Sequence, residues 1–248
     1  MFAIYKKEMR SYFTSPLGYV FTGIFLVFSA LLFSYTTFLS KSYDTSSYFT
    51  MLIFAFVILI PLLTMRLFAE ERKLRTEQLL LTAPVSITGM VMGKFCAAFT
   101  LFLSCVALSC INFIPLYAIA AAERGDVSYE TTYTGPVTAQ IIGCLIGIIL
   151  IGAAFIAIGT LISALAENQL AASVVTMAVI VGFVGIGLFA SFIDVYWIRM
   201  TLSWISVVGR FSNFSAGVFD IGAIVYFISL AFVFLFLTVR VYEKRRWS

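Results

Sequence analysis

The sequence predicts an all-α fold: a polytopic membrane protein with six transmembrane helices, an N-terminal interfacial helix and short re-entrant or interfacial helices before the last span. Of the 248 residues, 62% are hydrophobic and only 11% are charged. A soluble domain is nearer half apolar and a quarter charged, so this chain has too little polar surface to cover a globule in water. Six apolar runs reach the length of about 20 residues that a helix needs to cross a bilayer. These runs are 17–39, 47–68, 89–121, 136–163, 170–193 and 221–241. We therefore expect residues 1–248 to form a single transmembrane domain.

The distribution of basic residues predicts the orientation of these spans. An even number of spans places both termini on one side, and Lys and Arg concentrate on the cytoplasmic side. With the N-terminus inside, the opposite side holds only Lys41, Arg124, Arg199 and Arg210 out of 16 basic residues. We expect both termini and the charged segment 66–86 to be cytoplasmic, in a multi-pass protein of the bacterial plasma (inner) membrane.

Residues 2–14 precede the first span and have a helical pattern. Aromatic and apolar residues recur at helical spacing among Lys and Arg, at Phe2, Tyr5, Met9 and Tyr12. This pattern is typical of a helix that lies in the membrane interface. The alternative is an ordinary basic flank that only fixes the topology. Pro16 should separate this segment from the first span.

Residues 194–220 precede the last span on the predicted outer side. The segment is not polar enough for a free loop, and Trp197 and Trp204 favour short helices at, or dipping into, the outer interface. The alternative is a loop that rests on the lipid headgroups. This extracytoplasmic segment is the predicted re-entrant part, whereas 123–135 is a plain polar outer loop.

Two prolines and one glycine pattern inside the spans have structural effects that the sequence alone does not decide. Pro61 and Pro115 could kink the second and third spans, because proline removes a backbone hydrogen bond. Gly143 and Gly147 form a GxxxG pattern, which lets helices approach closely in lipid. Whether their neighbour is another span or another subunit stays open at this level.

Several kinds of chemistry have no candidate residues in the sequence. The chain has no histidine, and no ionisable residue lies in the middle of a span. Ion-coupled transporters usually carry such residues, so this pattern argues against a secondary transporter. Gly89-Met-Val-Met-Gly93-Lys94-Phe95 resembles a phosphate-binding loop, but only three residues separate the glycines and Phe95 stands where Ser or Thr would bind magnesium. The four cysteines lie in apolar runs without CxxC spacing, so we predict no catalytic, cofactor or metal site in this chain.

Residues 66–86 form the one charged segment between spans. A helix over 66–81 would place Arg66, Glu70, Lys73 and Glu77 on one face, where opposite charges pair at three- and four-residue spacing. Leu67, Leu74 and Leu81 would line another face. Thr82-Ala-Pro84 should end the helix. The spacing predicts an amphipathic helix on the cytoplasmic side, and a solvated connector is the alternative.

The same segment resembles the region after the second span in ABC-2-type permeases, the membrane subunits of a class of ABC transporters. The matching residues are Glu70, Glu71, Arg72, Thr76, Glu77, Leu79, Leu80, Leu81, Pro84 and Val85. The family commonly has Gly before the threonine, where this chain has Arg75. The C-terminal part is similar to the gliding-associated branch of that family at Phe211, Phe214, Gly217, Asp220, Arg245, Arg246 and Trp247.

The resemblance implies that the chain is the permease subunit of an exporter. Residues 66–86 would be a coupling helix that docks in a groove of a separate ATPase. The ATPase-coupling residues would be Glu70, Glu71, Arg72, Thr76, Glu77, Leu80 and Pro84. Two ATPase copies, which bind the ATP and magnesium, would assemble with this permease and a second permease subunit in the lipid bilayer, without nucleic acid. The substrate path would lie at the subunit interface, at spans two and five, with the substrate itself undetermined. The alternatives are a six-span channel and a membrane scaffold or sensor.

Overall fold

The computed structural model describes residues 1–73, 86–126, 135–190 and 194–247. Within these ranges the chain is helical and contains no strand. We number its helices α1 Phe2–Thr14, α2 Pro16–Phe33, α3 Ser46–Thr64, α4 Ala69–Lys73, α5 Ile87–Ser109, α6 Phe113–Asp126, α7 Thr138–Leu165, α8 Gln169–Ala190, α9 Tyr196–Ile205, α10 Val207–Ser215 and α11 Ile221–Trp247. Six stretches are long and apolar enough to cross a membrane, among them Ile87–Ala122, which joins α5 and α6. The predicted all-α, six-span architecture is confirmed.

The break between α1 and α2 lies where the sequence predicts it. Ser15 has an extended backbone, with φ −89° and ψ 152°, and Pro16 is the first residue of α2. Proline disfavours the α conformation in the residue before it and is well suited to the first turn of a helix. At its far end α2 passes into a π-helical turn, Ser34–Leu39, which completes the first span.

The structure revises two predictions about the spans. The second span ends at Thr64 rather than at residue 68, and Pro61 lies inside α3. The α-helix of the third span is interrupted before Pro115, by the 3₁₀ turn Cys110–Asn112. Pro115 has no N–H to donate to the carbonyl of Ile111, so one α-helical hydrogen bond is missing next to this 3₁₀ turn.

Helix α7 lies at the centre of the bundle and packs against α3, α5, α8, α10 and α11. Its glycines explain why it can be central. A Cβ atom on Gly143 would lie 2.9 Å from the carbonyl oxygen of Phe214, and one on Gly147 would lie 2.9 Å from the ring of Phe211. The GxxxG pair therefore packs against α10 of the same chain, which resolves the question left open by the sequence.

Two short helices precede the last span, as the sequence predicts. Ser206 separates α9 from α10, and its hydroxyl accepts a hydrogen bond from the N–H of Gly209, which caps α10. Val207, Phe211 and Phe214 are fully buried or nearly so, whereas Trp197 and Trp204 on α9 are exposed. Helix α10 thus belongs to the core, while the placement of α9 at a membrane surface stays a prediction.

Candidate functional site

Lys94, near the start of α5, is a buried lysine at the centre of a group of charged residues. Its side chain is 1% exposed, and its Nζ lies 2.9 Å from Glu8 Oε1 and 2.9 Å from Glu71 Oε1. Nζ also donates a hydrogen bond of 2.6 Å to the carbonyl of Leu67 and lies 5.1 Å from the centre of the Phe68 ring. An ammonium group has three N–H donors, so the three oxygens satisfy its hydrogen-bonding capacity.

Neighbouring charges offset the cost of burying this ammonium. An unpaired ion taken out of water costs several kcal/mol, roughly, even after the protein relaxes. The carboxylates of Glu8 and Glu71 are only 14% and 15% exposed, and Lys7 Nζ lies 3.4 Å from Glu71 Oε1. We call Lys7, Glu8, Glu71 and Lys94 the Lys94 cluster. It joins α1, α4 and α5 through charges that balance one another.

The position of Glu8 depends on close packing between α1 and α5. A Cβ atom on Gly93 would lie 3.1 Å from the carbonyl oxygen of Met1 and 3.2 Å from Cβ of Ile4. Glycine at this position therefore lets the start of α1 lie directly on α5, and the hydroxyl of Tyr5 reaches Thr100 Oγ1 at 3.3 Å. The glycines that imitate a phosphate-binding loop in the sequence instead form a packing surface for the N-terminal helix.

Helix α4, which carries Glu71, is attached to the C-terminal end of α7. Ser163 Oγ accepts hydrogen bonds from the N–H groups of Phe68 and Ala69, at 3.1 and 3.2 Å. Arg72 Nη1 donates to the carbonyls of Leu165 and Ala166, at 3.0 and 3.2 Å. The last carbonyls of a helix have no partner within the helix, so Arg72 satisfies groups that would otherwise need water. These bonds fix α4 against the central helix.

The first predicted ion pair of this segment is confirmed. Arg66 Nε and Nη2 donate to the two carboxylate oxygens of Glu70, at 2.8 and 2.9 Å. The helix predicted over 66–81 nevertheless begins at Ala69, because residues 65–68 form a turn that buries Leu67 and Phe68. Buried apolar side chains and the Ser163 bonds hold this turn, and they outweigh the local preference for a continuous helix.

The predicted ATPase-coupling residues fall into two groups. Glu70, Glu71 and Arg72 lie together on α4, and each has a partner within the chain. Thr76, Glu77, Leu80 and Pro84 lie outside the described residues, as do Leu74 and Arg75. The described part of the segment therefore forms its attachment to the bundle.

Lys7, Glu8 and Lys94 are not among the residues to which the sequence analysis assigns a role. Lys94 is a lone charge inside an apolar run, and Glu8 is the one acidic residue among the basic residues of 2–14. Both are signals of pairing, because a charge on an otherwise apolar or oppositely charged helix face needs a partner. Which charges meet depends on how α1, α4 and α5 pack.

The opposite end of the bundle, which we call the Asp44 end, has polar contacts that are nearer the surface. Gln140 Nε2 donates to Asp44 Oδ1 and to the carbonyl of Ser215, both at 2.9 Å. The guanidinium carbon of Arg210 lies 4.5 Å from the ring centre of Tyr226 and 5.5 Å from that of Trp204. These contacts tie loop ends together without burying a charge.

Comparison with known families assigns a class to this arrangement. Residues 32–242 match the model of a family described as ABC-2 family transporter protein. The match includes α3 to α10, and therefore α4, Glu71 and Lys94, but it begins after α1. No curated protein matches the chain.

Proposed function

Because this chain belongs to the ABC-2 transporter family, we propose that it is the permease subunit of an ABC exporter and that a separate ATPase subunit drives it through residues 66–86. Proteins of this family are membrane components of transporters and are not themselves catalytic. Members generally work with an ATPase subunit. The six apolar helices make the chain a multi-pass membrane protein.

The Lys94 cluster is the observation that carries the proposed coupling. We call residues 66–86 the docking segment. Glu71 lies near its start and forms ion pairs with Lys94 of α5 and Lys7 of α1. Arg72, the next residue, is bound to the end of α7. A displacement of the segment would therefore move three parts of the bundle together, because ion pairs and hydrogen bonds at both faces of α4 resist separate movement.

The finer features of the assembly are also part of this proposal. Two ATPase copies would bind the ATP and magnesium, and a second permease subunit, identical or related, would complete the transporter. The exposed apolar faces of α2, α8 and α11 leave room for that subunit and for lipid. Residues 1–248 would act as one domain in the inner membrane, with both termini and residues 66–86 in the cytoplasm. Membership in the gliding-associated branch is a proposal of the same kind.

Co-purification with the ATPase tests the docking segment. Glu77→Arg and Leu80→Arg should lower the amount of ATPase retained and the ATP hydrolysis that the permease stimulates by roughly tenfold or more, because a reversed or buried charge at a docking surface is strongly unfavourable. The permease should still insert and keep its thermal stability. Arg199→Glu, an exposed charge reversal on α9, is the matched control and should leave both readouts unchanged.

Two outcomes would count against the proposal. Retained ATPase and unchanged stimulation in both docking variants would show that the segment is not the coupling site. Substrate or ion flux without ATP hydrolysis, with no ATPase retained by the wild type, would favour the six-span channel instead.

A further inference from the structure

An apolar crevice opens on the side of the bundle between α2 and α3, near the Lys94 end. Leu17, Val20 and Ile24 form one wall from α2, and these side chains are 36–53% exposed. Their spacing of three and four residues places them on a single helix face. The floor consists of Phe21, Leu63 and Leu101, which are nearly buried. The crevice is therefore an apolar slot that is open to the surrounding medium.

Two polar side chains close the end of this slot. Arg66 and Tyr12 both belong to its lining, beside an otherwise apolar surface. Arg66 uses Nε and Nη2 to bind Glu70. A guanidinium group has five N–H donors. Among the described residues only Glu70 accepts hydrogen bonds from Arg66, so donors including those of Nη1 can bind a ligand.

The hydroxyl of Tyr12 is the second observation. Tyr12 is 7% exposed, and among the described residues none forms a hydrogen bond with its hydroxyl. Burial, with a further contribution from the Glu8 carboxylate, raises the pKa of Tyr12 well above its usual value, so the hydroxyl keeps its proton and remains a donor. A hydroxyl that lines the crevice and has no hydrogen-bond partner among the described residues can donate to an acceptor supplied by a ligand.

We propose that this crevice binds one glycerophospholipid, with an acyl chain along the apolar slot and a phosphate oxygen at the Tyr12 hydroxyl and the remaining N–H donors of Arg66. The combination of an apolar slot, a neutral donor and a cation at one end matches an amphiphile with an anionic phosphate. In the proposed orientation, the lipid comes from the cytoplasmic leaflet. The ligand would occupy the junction of α1, α2 and α3, next to the residues that begin the docking segment.

Lipid binding by the purified permease without the ATPase tests this proposal, so its failure would not be confused with failure of the coupling proposal. The delipidated protein in detergent is titrated with dioleoyl phosphatidylglycerol, and bound lipid is counted by native mass spectrometry. Tyr12→Phe should weaken binding about tenfold, because it removes one hydrogen bond to a charged group and keeps the ring. Tyr19→Phe removes an exposed hydroxyl from α2 and should change nothing.

A second pair of variants tests the acyl slot. Leu62→Trp places a large side chain at the wall of the crevice and should abolish binding of that lipid, whereas Leu31→Trp places the same group on an exposed part of α2 and should not. Tyr12→Phe keeps the test decisive if Leu62→Trp does not fold. Equal binding by wild type, Tyr12→Phe and Leu62→Trp would overturn the site.

Headgroup and chain analogues distinguish the sources of binding. Neither glycerol 3-phosphate nor methyl oleate should compete with the phospholipid at concentrations that saturate the wild type with phospholipid. Full competition by glycerol 3-phosphate would reject the acyl slot, and full competition by methyl oleate would reject the phosphate contact.

Discussion

The two ends of the bundle are held by different interactions. At the Lys94 end, buried ion pairs join residues far apart in sequence, and Lys94 pairs with Glu8 across 86 positions. At the Asp44 end, Phe211 and Phe214 of α10 pack closely against Gly143 and Gly147 of α7. The polar contacts at this end, such as that between Gln140 and Asp44, lie nearer the surface.

This difference has a physical consequence for tolerance to substitution. A buried ion pair is sensitive to the loss of one partner, because the remaining charge is left out of water. A glycine in close contact with a neighbouring helix is sensitive to added volume, because there is no space for a side chain. The side chain of Lys94 should therefore tolerate a change in volume better than a loss of charge, whereas Gly143 and Gly147 should be sensitive to added volume.

The largest expected effect comes from Lys94→Met. The substitution keeps much of the side-chain volume but leaves the mostly buried Glu8 carboxylate without its cation. Breaking a buried pair in this way costs roughly 3–5 kcal/mol. Thermal unfolding of the detergent-solubilised protein should show a large loss of stability.

Two further variants separate charge from packing at the Lys94 end. Lys41→Met removes an exposed lysine near the other end and should have little effect, because exposed charges contribute little. Adding Glu8→Gln to Lys94→Met should recover part of the lost stability. A Lys94→Met protein as stable as Lys41→Met would contradict the assigned role of the cluster.

An intermediate effect is expected at Gly147, where Phe211 of α10 packs closely against α7. Gly147→Ala adds a Cβ atom 2.9 Å from the Phe211 ring and should cost about 1–3 kcal/mol through overpacking. Gly182→Ala is the matched control on α8, since nothing lies within 4 Å of its Cβ position. Because alanine is the better helix former, the control should be neutral or stabilised by up to about 1 kcal/mol. Equal unfolding temperatures for the two variants would contradict the claim that Phe211 leaves no space for a side chain at Gly147.

The smallest effect is expected from Asp44. Partial burial alone would raise the pKa of this carboxyl, but hydrogen bonds from Ser46 and Gln140 outweigh burial and hold the pKa below its usual value. A lowered folded-state pKa stabilises the protein above the unfolded value, about 3.9, and this stabilisation is lost as the pH falls through the folded-state pKa. The stability difference between wild type and Asp44→Asn should therefore be small at pH 7 and shrink further below about pH 4.

The pH series has its own control and its own contrary result. Asp194→Asn, which removes an exposed carboxylate without a hydrogen bond among the described residues, is the matched control. A difference between wild type and Asp44→Asn that grows on acidification would mean that the carboxylate is not stabilised by its hydrogen bonds.

The candidate site shows where sequence reasoning succeeds and where it stops. The pairing of Arg66 with Glu70 follows from helical spacing, although a turn precedes α4. The role of Glu71 cannot be predicted from helical spacing, because its partners Lys94 and Lys7 lie on other helices. The interactions of Thr76, Glu77, Leu80 and Pro84 with an ATPase stay a prediction.

Composition and local spacing were enough to determine the six spans, the break at Pro16 and the short helices before the last span. These features follow from hydropathy and backbone sterics within a few turns of the chain. Only the tertiary structure decided that Lys94 is buried between two carboxylates, that Gly143 and Gly147 receive α10, and that Tyr12 and Arg66 close one crevice. The reason is that these contacts join residues on separate helices, and their energies depend on how those helices pack rather than on the local sequence of any one of them.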